Sequence, residues 1–239
     1  MDKKLNEVIN LNDIVLDILK DDLKNFEKII EINKVEKPSY FDKTLSLIKD
    51  STDLNEVVGE LGKLFDHLAS DNDLDLAILT QQFLQRYTFF LQTIADYDQF
   101  SGNFSANMIN GHNTAEIFQA IFVPFFSEQI NLYYENLKKG LQIYDVKDWS
   151  KTVDKELKEY LNKGLEQKDF ITKIQDVEDL INYLSDPQKL YKELNISFTE
   201  PNDPSKEAFL AQLSQFKIIL QSIDILVEHV IKAVDKVAG

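Results

Sequence analysis

Two apolar patterns at helical spacing, joined by a loop rich in asparagine and glycine, occupy the chain between Leu76 and Trp149. The first reads Leu76, Leu79, Phe83, Leu84, Tyr87, Phe90, Leu91 and Ile94. Steps of three and four put these residues on one face of a 3.6-residue helix. Phe89 and Ala95 widen the stripe, which predicts cover on more than one side. The second pattern reads Ile117, Ala120, Ile121, Pro124, Phe125, Glu128, Ile130, Tyr133, Tyr134 and Leu137, with Phe118, Phe122 and Phe126 alongside. The stretch holds 15 of the 26 aromatic residues. Each can bury roughly 150–250 Å², so the core is expected here. Pro124 lacks a backbone donor and is expected to kink or divide its helix, at about 3 kcal/mol unless packing compensates.

The same period runs through the rest of the chain. Over residues 2–33, Leu5, Ile9, Asn12, Leu16, Leu19, Leu23, Phe26 and Ile30 alternate four and three, beside Val8, Leu11, Val15, Ile18, Ile29 and Ile32. One helix or a pair is predicted, ending at Pro38, with Ser39 capping a short helix over 40–49. Ser51-Thr52-Asp53 opens a helix to about Ser70, and Glu56 is placed for a capping box. Gly59 and Gly62 within it suggest a close neighbouring backbone. Gly140 reads as a helix terminator and Asp145 to Trp149 as a connector. Amphipathic patterns follow at 151–167 and 169–194, and Pro187 can begin a helix at its first turn. Residues 195–204 form a proline-containing loop, the one plausible hinge. Ser205 caps a last helix reaching Val237 through Leu213, Phe216, Leu220, Ile223, Val227, Val230 and Val234. With seven glycines and five prolines, turn-rich β structure has little support. The expected fold is all-α: a single bundle-like domain over 1–239, with about seven to nine helices around the aromatic pair.

Composition excludes several chemistries. There is no cysteine, hence no disulfide, thiolate metal site or cysteine nucleophile. A net charge of −15 argues against nucleic acid, which needs clustered lysine or arginine to displace counterions. After Met1-Asp2-Lys3-Lys4 the polar residues Asn6, Glu7, Asn10 and Asp13 interrupt any apolar run, so no signal peptide is read. The nearly apolar run from Ile117 to Phe126 falls short of the roughly 20 residues a bilayer needs. A cytoplasmic location is expected, with export by a signal-less route also compatible.

No catalytic or cofactor motif emerges. The three histidines, His67, His112 and His229, belong to no HExxH or Glu-x-x-His pair. Asp71, Asp73 and Asp75 imitate a calcium loop, but Leu76 and Gln82 stand where glycine and glutamate are needed. Acids at a helix N-terminus complement its dipole, which explains them without metal. No cofactor or metal is expected.

The best candidate site is the loop from about Asp98 to Asn113. It is longer than most helix connections, and Phe100, Phe104, Met108 and Ile109 are apolar anchors for it. Phe100, Phe104, Asn110, His112 and Asn113 are its candidate binding residues. Arg86, the lone arginine, sits among aromatic residues and suits either a stacked or bidentate contact, or a structural ion pair. The leading expectation is a non-catalytic interaction protein, an adaptor, chaperone-like factor or effector, meeting a protein partner or a second copy through helix faces. Alternatives are a binder of a small or apolar ligand under the 98–113 loop, a peripheral lipid- or granule-surface protein, and an enzyme with unrecognised carboxylate chemistry.

Overall fold

A computed structural model describes residues 2–142 and 204–238. The described chain is helical, and an isolated antiparallel bridge between Lys4 and Ser105 is the β pairing found among the described residues. The helices are α1 (Leu5–Val8), α2 (Leu11–Ile32), α3 (Phe41–Asp50), α4 (Leu54–Ser70) and α5 (Leu74–Ser101). After them come α6 (Thr114–Ile117), α7 (Val123–Gln142) and α8 (Pro204–Val237). The patterns at 145–203, including the hinge and Pro187, lie outside the described residues. Two compact units form: residues 1–108 with 228–233, and residues 109–227 with 234–239.

In the first unit, the anticipated helix pair over 2–33 is present, and the four-three stripe is buried at Leu5, Ile9, Leu19, Leu23, Phe26 and Ile30. Ile9 closes the first short helix and Asn10 caps α2, its side chain accepting the N–H groups of Asn12 and Asp13. α2 buries Leu19, Leu23, Phe26 and Ile30 of that stripe together with Leu11, Val15 and Ile18 of the one beside it. Asn12 and Leu16 are only half-buried. At the other end Lys34 takes φ 52°, while Val35 N–H reaches Ile30 O and Lys34 N–H reaches Glu31 O. This is a Schellman closure with lysine where glycine is usual. Asn72 at φ 59° closes α4 in the same way, through Asp73 N–H to Leu68 O.

Several local expectations are corrected. Ser39 does not cap α3; Tyr40 holds that position without a side-chain capping bond. Its hydroxyl instead donates to Asp71 Oδ2 at 2.9 Å. Asp53 caps α4, but Glu56 accepts from the Ser51 hydroxyl rather than closing a box. Among the described residues no neighbour approaches Gly59 or Gly62, since a Cβ at either would meet nothing within 4 Å. Ala95 is exposed, so the widening of the α5 stripe rests on Phe89.

α4 and α5 form a helical hairpin, the most extensive packing between helices in this unit. Beneath it Phe26 meets Phe83 at 4.6 Å and Phe41 at 5.9 Å between ring centroids. Tyr87 stacks on Phe83 and meets Phe90 edge-on. Thr80 is fully buried in α5, and its hydroxyl finds no hydrogen-bond partner among the described residues.

In the second unit, Pro124 neither divides nor ends its helix. The chain widens into a π-helical turn over Phe118–Phe122, and Val123 N–H reaches back to Phe118 O. A wide turn here accommodates a proline that could not have bonded Ala120 O. Pro124, Ala120 and Glu128 lie on the exposed side, contrary to the expected inward face. Ile117, Ile121, Phe125 and Ile130 of the expected face are buried, and so is the neighbouring stripe, in which Phe118, Phe122 and Phe126 stack at 5.7 and 6.2 Å. α7 continues through Gly140 to Gln142, so that glycine does not terminate it. α8 begins at Pro204 rather than after a Ser205 cap, which suits proline in a first helical turn. Its stripe from Leu213 to Val234 is buried as anticipated, so these residues are already covered within one chain.

Candidate functional site

The candidate loop is shorter than expected because α5 continues to Ser101. Two buried side chains hydrogen-bond in these last turns. The Ser101 hydroxyl donates to Tyr97 O at 2.6 Å, and the Tyr97 hydroxyl donates to Ile9 O at 3.0 Å. Burial pushes the Tyr97 phenol above its ordinary value, which keeps that donor in place. Phe104 N–H then turns back to Ser101 O.

The N-terminal residues run antiparallel to the next stretch. Leu5 N–H donates to Phe104 O at 3.1 Å and Ala106 N–H donates to Lys3 O at 2.9 Å. Leu5 and Ile9 are buried, and Asn6 reaches Asp98 at 3.3 Å. A 3-10 turn over Ala106–Ile109 follows. Ile109 is buried as an anchor, whereas Met108 is 48% exposed and anchors nothing. Gly111 supplies the one left-handed residue of the loop, at φ 77°.

The candidate residues fall into three arrangements. Phe100 and Phe104, both half-buried, meet edge-to-face at 5.2 Å in the first unit. Asn110, His112 and Asn113 are exposed in the second unit. There Asn113 caps α6: its side chain accepts Glu116 N–H, while Glu116 Oε2 accepts Asn113 N–H at 3.1 Å. His112 Nδ1 lies 3.2 Å from the same carboxylate oxygen. The Asn113 N–H and the His112 ring hold the Glu116 carboxyl below its ordinary range. A histidine beside a carboxylate can serve acid–base chemistry, but this carboxylate is engaged in closing a capping box. Thr114, the first residue of α6, donates to Asp235 at 2.8 Å.

Arg86 belongs to the third arrangement. Its Nη1 donates to Asp22 Oδ2 at 2.8 Å, a single contact rather than a bidentate clamp, and both side chains are mostly covered. The neighbouring Tyr87 hydroxyl donates to that oxygen at 2.9 Å. Burial, then the charge of Asp22, pushes the Tyr87 phenol far up. Arg86 precedes Phe100 by fourteen residues on one helix, about 21 Å at 1.5 Å per residue. The two do not share a site.

Periodicity alone does not name Asp22 and Glu116 as partners, yet each leaves a trace in the sequence. Asp22 interrupts the buried run Leu19, Leu23, Phe26 at helical spacing, and Asn113-Thr-Ala-Glu116 matches the capping-box pattern. A cavity of about 200 Å³ opens elsewhere in the second unit, between α7 and α8. It is lined by Tyr133, Asn136, Gln212, Gln215, Phe216 and Ile219, and none of the candidate loop residues reaches it. Among the described residues no group of three or more histidine, aspartate and glutamate side chains is placed to hold a metal. No helix among them is long and apolar enough to cross a membrane. Compared with known proteins, the chain matches no family model, no curated protein and no solved structure.

Proposed function

We propose that this chain is a non-catalytic interaction protein that meets its partner through helix faces. The observation carrying this reading is aliphatic surface left open on otherwise well-packed helices. Ile32 on α2 is 77% exposed, and Leu74 and Ile78 on α5 are 58% and 54% exposed. The polar candidates, in contrast, are occupied: Arg86 by Asp22, His112 and Asn113 by Glu116. An adaptor, chaperone-like factor or effector fits this distribution. A photo-crosslinking residue at Ile32 or Ile78 is expected to capture protein in the source cell's lysate, and the same residue at exposed Glu31 is expected to capture none.

The cavity between α7 and α8 favours a second reading, a binding protein for a small ligand. Its lining of hydroxyl and carboxamide groups over Phe216 and Ile219 carries no charge, which suits a neutral ligand. Saturable thermal stabilisation by such a compound, lost in Gln212→Ala, is the expected sign.

A further inference from the structure

Leu74 and Ile78 are one helical turn apart, so they adjoin on the surface of α5. Ile29 and Ile32 on α2 make a comparable pair, but Lys28, Glu31 and Lys34 beside them give no sign preference. The α5 pair is framed differently. From Leu64 to Gln85 the α4–α5 hairpin contains Asp66, Asp71, Asp73 and Asp75 and no lysine or arginine. Asp71 and Asp75 are exposed. Asp73 stands at the N-cap of α5, yet its side chain makes no capping hydrogen bond. Asp71 accepts the Tyr40 hydroxyl through Oδ2 only. The helix N-terminus contributes roughly half a positive charge, too little to offset carboxylates on this scale. Further along, Gln81 and Gln82 are exposed and neutral.

We propose that the first turns of α5 dock a basic amphipathic helix of a partner protein. Its aliphatic face covers Leu74 and Ile78, and its lysines or arginines face Asp71, Asp73 and Asp75. This proposal rests on the interaction reading above and names the chemistry of the partner. An apolar step in an acidic frame selects that combination, because desolvated aliphatic contact supplies affinity while the charges steer and orient.

The test uses the full chain and a fluorescent 18-residue helix of leucine and lysine at amphipathic spacing. A second peptide with serine in place of every leucine has the same charge. The leucine peptide is expected to bind and the serine peptide to bind at least tenfold more weakly. Leu74→Ser with Ile78→Ser, which leaves the net charge unchanged, should weaken the leucine peptide at least tenfold. Asp73→Asn with Asp75→Asn should weaken it and flatten its salt dependence. Equal binding of both peptides, or unaltered binding by the Leu74/Ile78 variant, overturns the proposal, since overall charge alone then explains the attraction. Absence of binding overturns it as well. A partner captured from lysate independently of Leu74 and Ile78 would reject this docking site and leave the interaction reading standing.

Discussion

Arg86 and Asp22 form a largely covered ion pair at 2.8 Å, and Asp22 also accepts the buried Tyr87 hydroxyl. One carboxylate therefore satisfies two donors on α5 and fixes where α2 crosses it. Asp22→Ala leaves the Tyr87 hydroxyl without its acceptor, a loss of about 1–3 kcal/mol. Tyr87→Phe alone should cost about 1 kcal/mol. The double variant should lose less than the sum, because the Tyr87 hydroxyl, one of the two donors that Asp22→Ala orphans, is then gone and only Arg86 is left without its acceptor. Urea unfolding of the four proteins checks this, and strict additivity would contradict it.

Gly59 is exposed and Gly62 half-buried on α4, and a Cβ at either meets no atom within 4 Å. Alanine in a helix interior is favoured over glycine by up to about 1 kcal/mol. Gly59→Ala and Gly62→Ala should each raise Tm in thermal unfolding followed by far-UV CD. A drop in Tm would mean that a backbone does approach this face.

Lys34 ends α2 at φ 52°. A left-handed conformation costs a non-glycine residue about 1–2 kcal/mol, so Lys34→Gly should stabilise by about 1 kcal/mol after the added chain entropy is offset. The urea midpoint measures this, and an unchanged or lower midpoint would contradict it.

Much of the fold was legible because it depends on local periodicity and punctuation. The α8 stripe and the aromatic cores follow from steps of three and four. The failures have specific causes. Asn10 starts a new helix inside an apparently continuous stripe, and in the first turns after it Leu11 and Val15 of the adjacent stripe are buried while Asn12 and Leu16 are half-buried. Pro124 signals a disturbance, but a π-helical turn absorbs it, and the phase change moves Ala120 and Glu128 outward. At the site, the pairing of Lys3–Leu5 with Phe104–Ala106 is made by backbone groups about a hundred residues apart. Backbone bonds leave no side-chain signature in the sequence. Arg86 was recognisable as special, but naming Asp22 required the crossing of two helices.

The Glu116 carboxyl is held below its ordinary value of 4.5 by the Asn113 N–H and by His112. Its folded-state value is thus lower than its unfolded one. The stability it contributes is present above the unfolded value and is lost as pH falls through the folded value. The Tm difference between the wild type and Glu116→Gln should hold steady above about pH 6 and shrink below 4.5. A difference independent of pH would show that the ionised form is not what the cap uses.

Capture of a partner through the exposed aliphatic faces tests the functional reading most directly. The full chain and a variant carrying serine at Ile29, Ile32, Leu74 and Ile78 would be compared as baits in the source cell's lysate. Mass spectrometry would quantify the retained proteins, and far-UV CD would verify equal helicity. The account predicts a stoichiometric partner held by the wild type and lost by the variant. Equal retention by both, or a wild-type bait recovered alone, would contradict it.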